Sequence, residues 1–190
     1  MGLNNKLKVI LISGKAQSGK DTFANYFKRI ANANQKKVLI IKYADILKFV
    51  CKEYYDWNGI KDDYGRSLLQ KIGTDLCRNN NPDVWVNCVI EIVKSLSTEY
   101  DYILIPDTRF PNEILKWNET GINYMTVRIN RVDKDFNDFD NKLSDEQKNH
   151  ISETALDDWM FEYDFYNQDI NSFFDGIDIL FEVLERNGKN

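Results

Sequence analysis

The segment Gly14-Lys15-Ala16-Gln17-Ser18-Gly19-Lys20 stands between an apolar run and a helical pattern, and it restricts the fold of this 190-residue chain more than any other feature. Upstream, Leu7 and Val9-Ile10-Leu11-Ile12 form the continuous apolar run of a strand buried on both faces. Downstream, Phe23, Phe27, Ile30 and Ala31 recur at helical intervals. Strand, glycine loop and helix in this order fit G-x-x-x-x-G-K, in which glycines let backbone N–H groups turn around phosphate oxygens. The helix start aims its positive end at the same anion, and Lys20 is placed to bridge β- and γ-phosphates. The alternative is a glycine turn without a ligand. The residue after the lysine is commonly Ser or Thr, which binds Mg²⁺; here it is Asp21, followed by Thr22. A carboxylate beside a triphosphate is repelled unless a cation lies between them, so metal-bridged binding is expected.

The apolar runs Val38–Ile41, Tyr102–Ile105 and Tyr124–Ile129 repeat the buried-strand signal, and Phe161–Tyr166 repeats it more weakly. A C-terminal helix follows with the apolar face Phe173, Ile177, Leu180, Phe181 and Leu184. Alternating strands and helices predict an α/β fold with about five parallel strands and helices on both faces. Residues 45–98 read as helix throughout, with apolar faces Leu47/Val50/Cys51, Leu68/Leu69/Ile72/Leu76 and Val86/Val89/Ile90/Val93. That is more than a crossover needs and suggests a helical insertion that covers something. Residues 132–149 turn polar without a period, as either a mobile flap or a solvated loop. No repeat or linker divides residues 1–190, which are expected to form one domain.

The formal net charge of −5 disfavours broad neutralisation of a nucleic-acid polymer, although a local cationic pocket is still allowed. Cys51, Cys77 and Cys88 show no metal-ligand or disulfide spacing and are expected to be buried, unreactive thiols. No apolar run reaches the ~20 residues of a membrane helix, and the N-terminal run is too short for a signal peptide. A cytoplasmic protein without membrane contact is the expectation.

Four further strings lie in order along the chain: YADILK at 43–48, LLQKIGTDLCR with a following VW at 68–85, PDTRFPNE at 106–113, and HISE at 150–153. Together with GKAQSGKDT, this chain resembles the phage-type deoxynucleoside monophosphate kinases, a branch of the P-loop nucleoside monophosphate kinase fold. The resemblance spans nearly the whole chain and includes Asp21 in its pattern.

Each string carries candidate roles. Asp107 ends the third strand, where it could hold the metal or its water or simply cap a helix. Arg109 could reach between two nucleotides as an always-charged fork, or form a surface ion pair. Phe110, Asn112 and Glu113 complete that string, Glu113 being equally readable as a solvated helix residue. Asp45 and Lys48 lie just past the C-terminal end of the second strand, where open α/β sheets place ligands. Gln70, Thr74 and Arg78 share a helix face at i, i+4 and i+8, which without the resemblance is simply solvated. With it, Arg78 becomes the candidate for the acceptor monophosphate and Gln70 for base or sugar, with Trp85 either stacking on the base or buried in the core. Arg131 is placed to swing onto the phosphates from a lid at 132–149, whereas Arg128 pairs locally. The resemblance puts His150 and Glu153 on the substrate side, and Asn167, with Gln168, where related kinases hold adenine.

The resulting expectation is transfer of the γ-phosphoryl group of ATP to a deoxynucleoside monophosphate. Lys20, Asp107, Arg109 and Arg131 would be catalytic, and Mg²⁺ would be held by Asp21, Thr22 and Asp107. The alternatives are a kinase of another small phosphorylated metabolite and a slow ATP-hydrolysing regulatory module. A homodimer is compatible with all three.

Overall fold

The apolar run at the N-terminus forms strand β1 (Lys8–Ser13), whose alternate side chains supply two separate cores. Ile10 and Ile12 pack into one, and Leu7, Val9 and Leu11 into the other, as the period of two requires. The computed structural model describes residues 6–60, 62–137, 144 and 148–187. After β1 come α1 (Lys20–Ala33), β2 (Val38–Ile40), α2 (Tyr43–Tyr54) and α3 (Asp63–Gln70), which runs directly into a π-helical segment, Lys71–Arg78. Next are α4 (Val84–Leu96), β3 (Tyr102–Ile105), α5 (Asn112–Leu115) with a 3₁₀ turn at Lys116–Glu119, and β4 (Asn123–Arg131). The chain finishes with α6 (Ile151–Thr154), β5 (Tyr163–Asn167) and α7 (Ile170–Asn187).

Among the described residues the strands form one five-stranded sheet in the order β2-β3-β1-β4-β5, every neighbouring pair parallel. Helices α1 and α7 cover one face, where Phe23, Phe27, Phe173 and Phe181 meet edge-on or tilted. On the other face lie α4 and α5, with Trp117 and Ile114 beneath them almost fully excluded from water. The expected parallel α/β architecture is therefore present. All five apolar positions expected of the C-terminal helix are buried, as are Val86, Val89, Ile90 and Val93 of α4. Among the described residues no helix is long and apolar enough to cross a membrane.

The insertion departs from a continuous helix. It begins at Tyr43, α2 ends at Tyr54 and α3 starts at Asp63, with Gly59 between them at a positive φ of 87°, and it breaks again near Pro82. Its second apolar face is also misread by a 3.6-residue period. Leu76 is 48% exposed, while Cys77 joins the clusters containing Ile72 and Trp85. The π winding advances by i+5, which brings Ile72 and Cys77, not Ile72 and Leu76, to one side. Gly73 lies in this segment because helix α2 crosses too closely for a side chain: a Cβ there would stand 2.6 Å from Leu47 Cδ2. The cysteines are free, but only Cys51 is buried; Cys77 is partly covered and Cys88 is exposed, since its position on α4 faces solvent. Asn167 ends β5 rather than following it.

Candidate active site

The central strand β1 delivers the glycine loop to the C-terminal edge of the sheet, where its backbone is forced into a cradle. Gly14, Gln17 and Gly19 have φ values of 151°, 61° and 108°, a left-handed alternation that aims successive amides inward. Two of these positions have no room for a side chain. A Cβ on Gly14 would stand 2.4 Å from the Ile129 carbonyl and 2.5 Å from Ser18 Oγ, and one on Gly19 would stand 2.6 Å from Asn167 Nδ2. Asn167 buttresses the loop from β5, donating from Nδ2 to the Ser18 carbonyl at 2.9 Å, and Arg131 Nη1 donates to the Gln17 carbonyl at 3.2 Å. Both residues thus bind the loop itself. Gln168 instead holds the start of the expected lid, donating to the carbonyls of Asp133 and Lys134.

Lys20 opens α1 and folds back into the loop, with Nζ donating to the carbonyls of Gly14 (2.7 Å) and Lys15 (2.6 Å). Burial, reinforced by the nearby Arg109 charge, brings its pKa down to about 8. An anion is already seated in the cradle: Glu153 of α6 accepts from the Ala16 amide at 2.9 Å and pairs with Arg109 Nη1. The Glu153 carbonyl and the Asp157 carboxylate hold Lys15, and Asp157 also holds Arg128 at 2.9 Å. Arg128 is thereby confined to local pairing, with Ser13 Oγ and the Phe161 ring as further partners. Among the described residues, Ser18 Oγ is the buried side-chain polar atom without a hydrogen-bond partner. A cradle that tolerates no Cβ, a carboxylate on its amide and an unsatisfied hydroxyl all fit a phosphate chain.

A cavity of about 860 Å³ extends from this loop to the helical insertion. Ala16, Lys20 and Asp21 line its loop end, and Gln70, Thr74, Arg78 and Trp85 line its far end. Its volume is in the upper part of the range for small-molecule sites. Arg78 is fixed from two sides, by Glu113 Oε1 at 2.5 Å and by the Phe110 ring, whose centroid lies 4.3 Å from the guanidinium carbon. Glu113 is not a solvated helix residue: only 1% of it is exposed, and Oε2 also accepts from the amides of Arg109 (2.7 Å) and Phe110 (3.2 Å). Burial pushes its carboxyl up against the opposing pull of Arg78.

Trp85 takes the core alternative; it is 5% exposed and donates to the Gly73 carbonyl at 3.1 Å, leaving an edge at the cavity. His150 caps α6 by accepting from the Ser152 amide and meets Gln70 across the cavity at 3.3 Å. Lys48 lines the cavity, whereas its partner Asp45 (2.8 Å) is turned to solvent outside the lining.

The three expected metal ligands separate. Thr22 is exposed on α1 and outside the cavity lining, because the helical turn carries it away from the loop. Asp107 lies beside the phosphate loop, since β3 pairs with β1, and its oxygens accept the first two amides of α2, Tyr43 at 3.0 Å and Ala44 at 2.9 Å. Burial raises its carboxyl despite those bonds. Asp21 faces the cavity and pairs with Lys42. Asp21 and Asp107 both line the cavity, and each carboxylate oxygen keeps a second lone pair, the hard-oxygen chemistry that suits Mg²⁺ carried with phosphates. Among the described residues no group of three or more His, Cys, Asp or Glu side chains could enclose a metal on its own.

Half of the expected lid lies outside the described residues, which omit 138–143 and 145–147. Its start is ordered by Asp133, whose carboxylate accepts from the amides of Asp135 and Asn137.

No family model matches this chain, and no curated protein matches its sequence. The fold does have relatives among solved structures. The Mycobacterium tuberculosis APS kinase CysC, solved in complex with AMPPNP and APS, superposes with a TM-score of 0.54 at 10% identity, over 94% of this chain and 97% of that one. A point mutant of the same enzyme gives 0.50 at 10% identity, over 92% and 96%. At this identity the likeness establishes the architecture alone.

Proposed function

We propose that this chain is an ATP-dependent kinase of a small phosphorylated acceptor, and that the acceptor is a deoxynucleoside monophosphate. The observation that carries the reading is a single cavity with two anion positions. One is the glycine cradle with Lys20; the other is Arg78, pinned between Glu113 and Phe110. A switch or a simple hydrolase has no need of the second. Arg109 links them, because its side chain reaches the carboxylate seated in the cradle while its amide rests on the carboxylate that holds Arg78. The choice of a deoxynucleotide rests on the ordered strings from YADILK to HISE.

In this reading ATP displaces Glu153 from the Ala16 amide and frees Arg109. Lys20 leaves the two loop carbonyls for the β,γ-phosphate oxygens, and Arg78 holds the acceptor phosphate in line. Arg109 then neutralises charge on the γ-phosphoryl group in transit, with Arg131 contributing from the loop rim. Asp21 and Asp107 would hold Mg²⁺, which when bound neutralises charge on the phosphate chain. Gln70 and His150 contact the acceptor nucleoside, Phe110 and Trp85 wall its pocket, and no covalent intermediate is required.

A second reading follows from the structural relative that was solved with AMPPNP and APS: the acceptor is another phosphorylated metabolite. Coupled ADP release across the common ribo- and deoxyribonucleoside monophosphates, with APS as a further acceptor, tests both. ADP with a deoxynucleoside diphosphate supports the first reading. ADP formed only with another acceptor supports the second, and ADP with free phosphate in every case reduces the protein to a hydrolase.

A further inference from the structure

Glu113 is chemically out of place as a buried residue. Only 1% of it is exposed, at the start of the four-residue helix α5, and it carries a carboxylate that burial disfavours. Such a group persists when its oxygens are filled, and these are filled by three donors from two parts of the chain. Arg78 Nη2 comes from the π-helical segment of the insertion, and the Arg109 and Phe110 amides come from the loop after β3. The main chain of Glu113 is seated as well: Tyr43 Oη donates to its carbonyl at 3.0 Å, and Trp117 Nε1 donates to Tyr43 Oη at 3.1 Å. The carboxylate therefore has little freedom to move.

Resting on the proposed function, we infer that Glu113 is the positioning residue that sets the separation between the acceptor arginine, Arg78, and the transfer arginine, Arg109. It acts through the two arginine-bearing segments that it joins. One oxygen takes a single N–H of the Arg78 fork, and with the Phe110 ring beneath the guanidinium it fixes the plane of that fork, leaving its other donors for a phosphate. The other oxygen ties down the loop from which Arg109 springs. A rigid carboxylate shared by two arginine-bearing segments converts two independent placements into one, which is what an in-line transfer between two phosphates requires.

Glu113→Gln tests this. The amide oxygen can still accept from the loop amides, but its NH₂ then faces Arg78, and two donors repel. The KM for the accepted deoxynucleoside monophosphate should rise at least tenfold, with the KM for ATP within about twofold of wild type. In an Arg78→Ala background the same change should raise the acceptor KM no further, because its route through Arg78 is gone. A purely structural role predicts losses that spread over both substrates and persist in that background. If Glu113→Gln melts early, Glu113→Asp keeps the charge but falls one methylene short of its two sets of partners, and a smaller rise in acceptor KM is expected. An unchanged acceptor KM in a folded variant, equal rises for both substrates, or unfolding of both variants overturns the inference. Wild-type turnover separates the levels: an active wild type with an indifferent Glu113→Gln removes only this inference, whereas a wild type that phosphorylates no nucleoside monophosphate removes the proposed function and this inference with it.

Discussion

Lys20 should destabilise the free protein at neutral pH, and its removal should reveal by how much. Lys20 is 9% exposed, its ammonium has two loop carbonyls as partners, and its pKa falls from 10.5 to about 8, first through burial and then through the Arg109 charge. At about 1.36 kcal/mol per pH unit, that drop corresponds to about 3 kcal/mol against the folded state. The folded value lies below the unfolded one, so the penalty is fully present below pH 8, where both states are protonated. It fades as the pH climbs from about 8 towards 10.5. Lys20→Met should therefore abolish turnover while melting above wild type at pH 7, less whatever the Gly14 and Lys15 carbonyls lose. At about 2–4 °C per kcal/mol for a chain of this size, the pH-dependent part of the gap is up to about 10 °C, narrowing to about a quarter of that by pH 10. Nucleotide binding should restore the lysine charge, so calorimetry at pH 8 in buffers of different ionisation heat should show uptake of about half a proton, and almost none at pH 6.5. A wild-type-to-variant gap that stays constant from pH 7 to 10, with no proton uptake at pH 8, would refute the reasoning.

Three further outcomes are expected. Glu153→Gln should bind ATP about fivefold more tightly by equilibrium titration, because a neutral side chain holds the Ala16 amide and Arg109 less strongly than a carboxylate does; weaker binding would place Glu153 among the nucleotide's own ligands. Asp21→Asn should raise the Mg²⁺ concentration for half-maximal activity several-fold, whereas a change in melting temperature alone would confine Asp21 to its pair with Lys42 and the first turn of α1. Gly14→Ala should lower stability by about 1–3 kcal/mol in denaturant titrations and abolish nucleotide binding, since its Cβ would meet the β4 backbone at 2.4 Å; wild-type affinity in this variant would mean that the loop has another conformation.

The strands and the glycine loop were legible because each depends on neighbours in sequence. Continuous apolar runs mark strands covered on both faces, and the G-x-x-x-x-G-K spacing follows from backbone geometry over seven residues. What escaped depends on partners far along the chain. Glu113 reads as an ordinary helix residue until Arg78, 35 positions earlier, neutralises it. Asp107 reads as a metal ligand or a helix cap, and the two amides that α2 presents to it come from residues 63 and 64 positions earlier; Thr22 reads as its companion until the helix turns it away. The exchange of Leu76 for Cys77 on the apolar face has a different origin. A period of 3.6 cannot anticipate a local i+5 winding, which arises where Gly73 lets α2 come close. Arg78, Gln70 and Thr74 nevertheless reach the cavity together, as their spacing suggested.

The central place of β1 also sets a schedule for synthesis. Its neighbours are β3, which begins at Tyr102, and β4, which ends at Arg131, so the first strand made is among the last to be paired. At about 5–20 residues per second, Val9–Ile12 wait roughly 6–24 s on the ribosome before both edges can be paired. The α1 segment, local and able to fold within microseconds, is the first at hand to shield one side, and α4 emerges later to cover the other. A nascent chain of this protein thus carries an incompletely paired, aggregation-prone strand until β4 is made. Slowing translation before codon 131 should reduce the soluble yield without altering a single contact in the finished molecule.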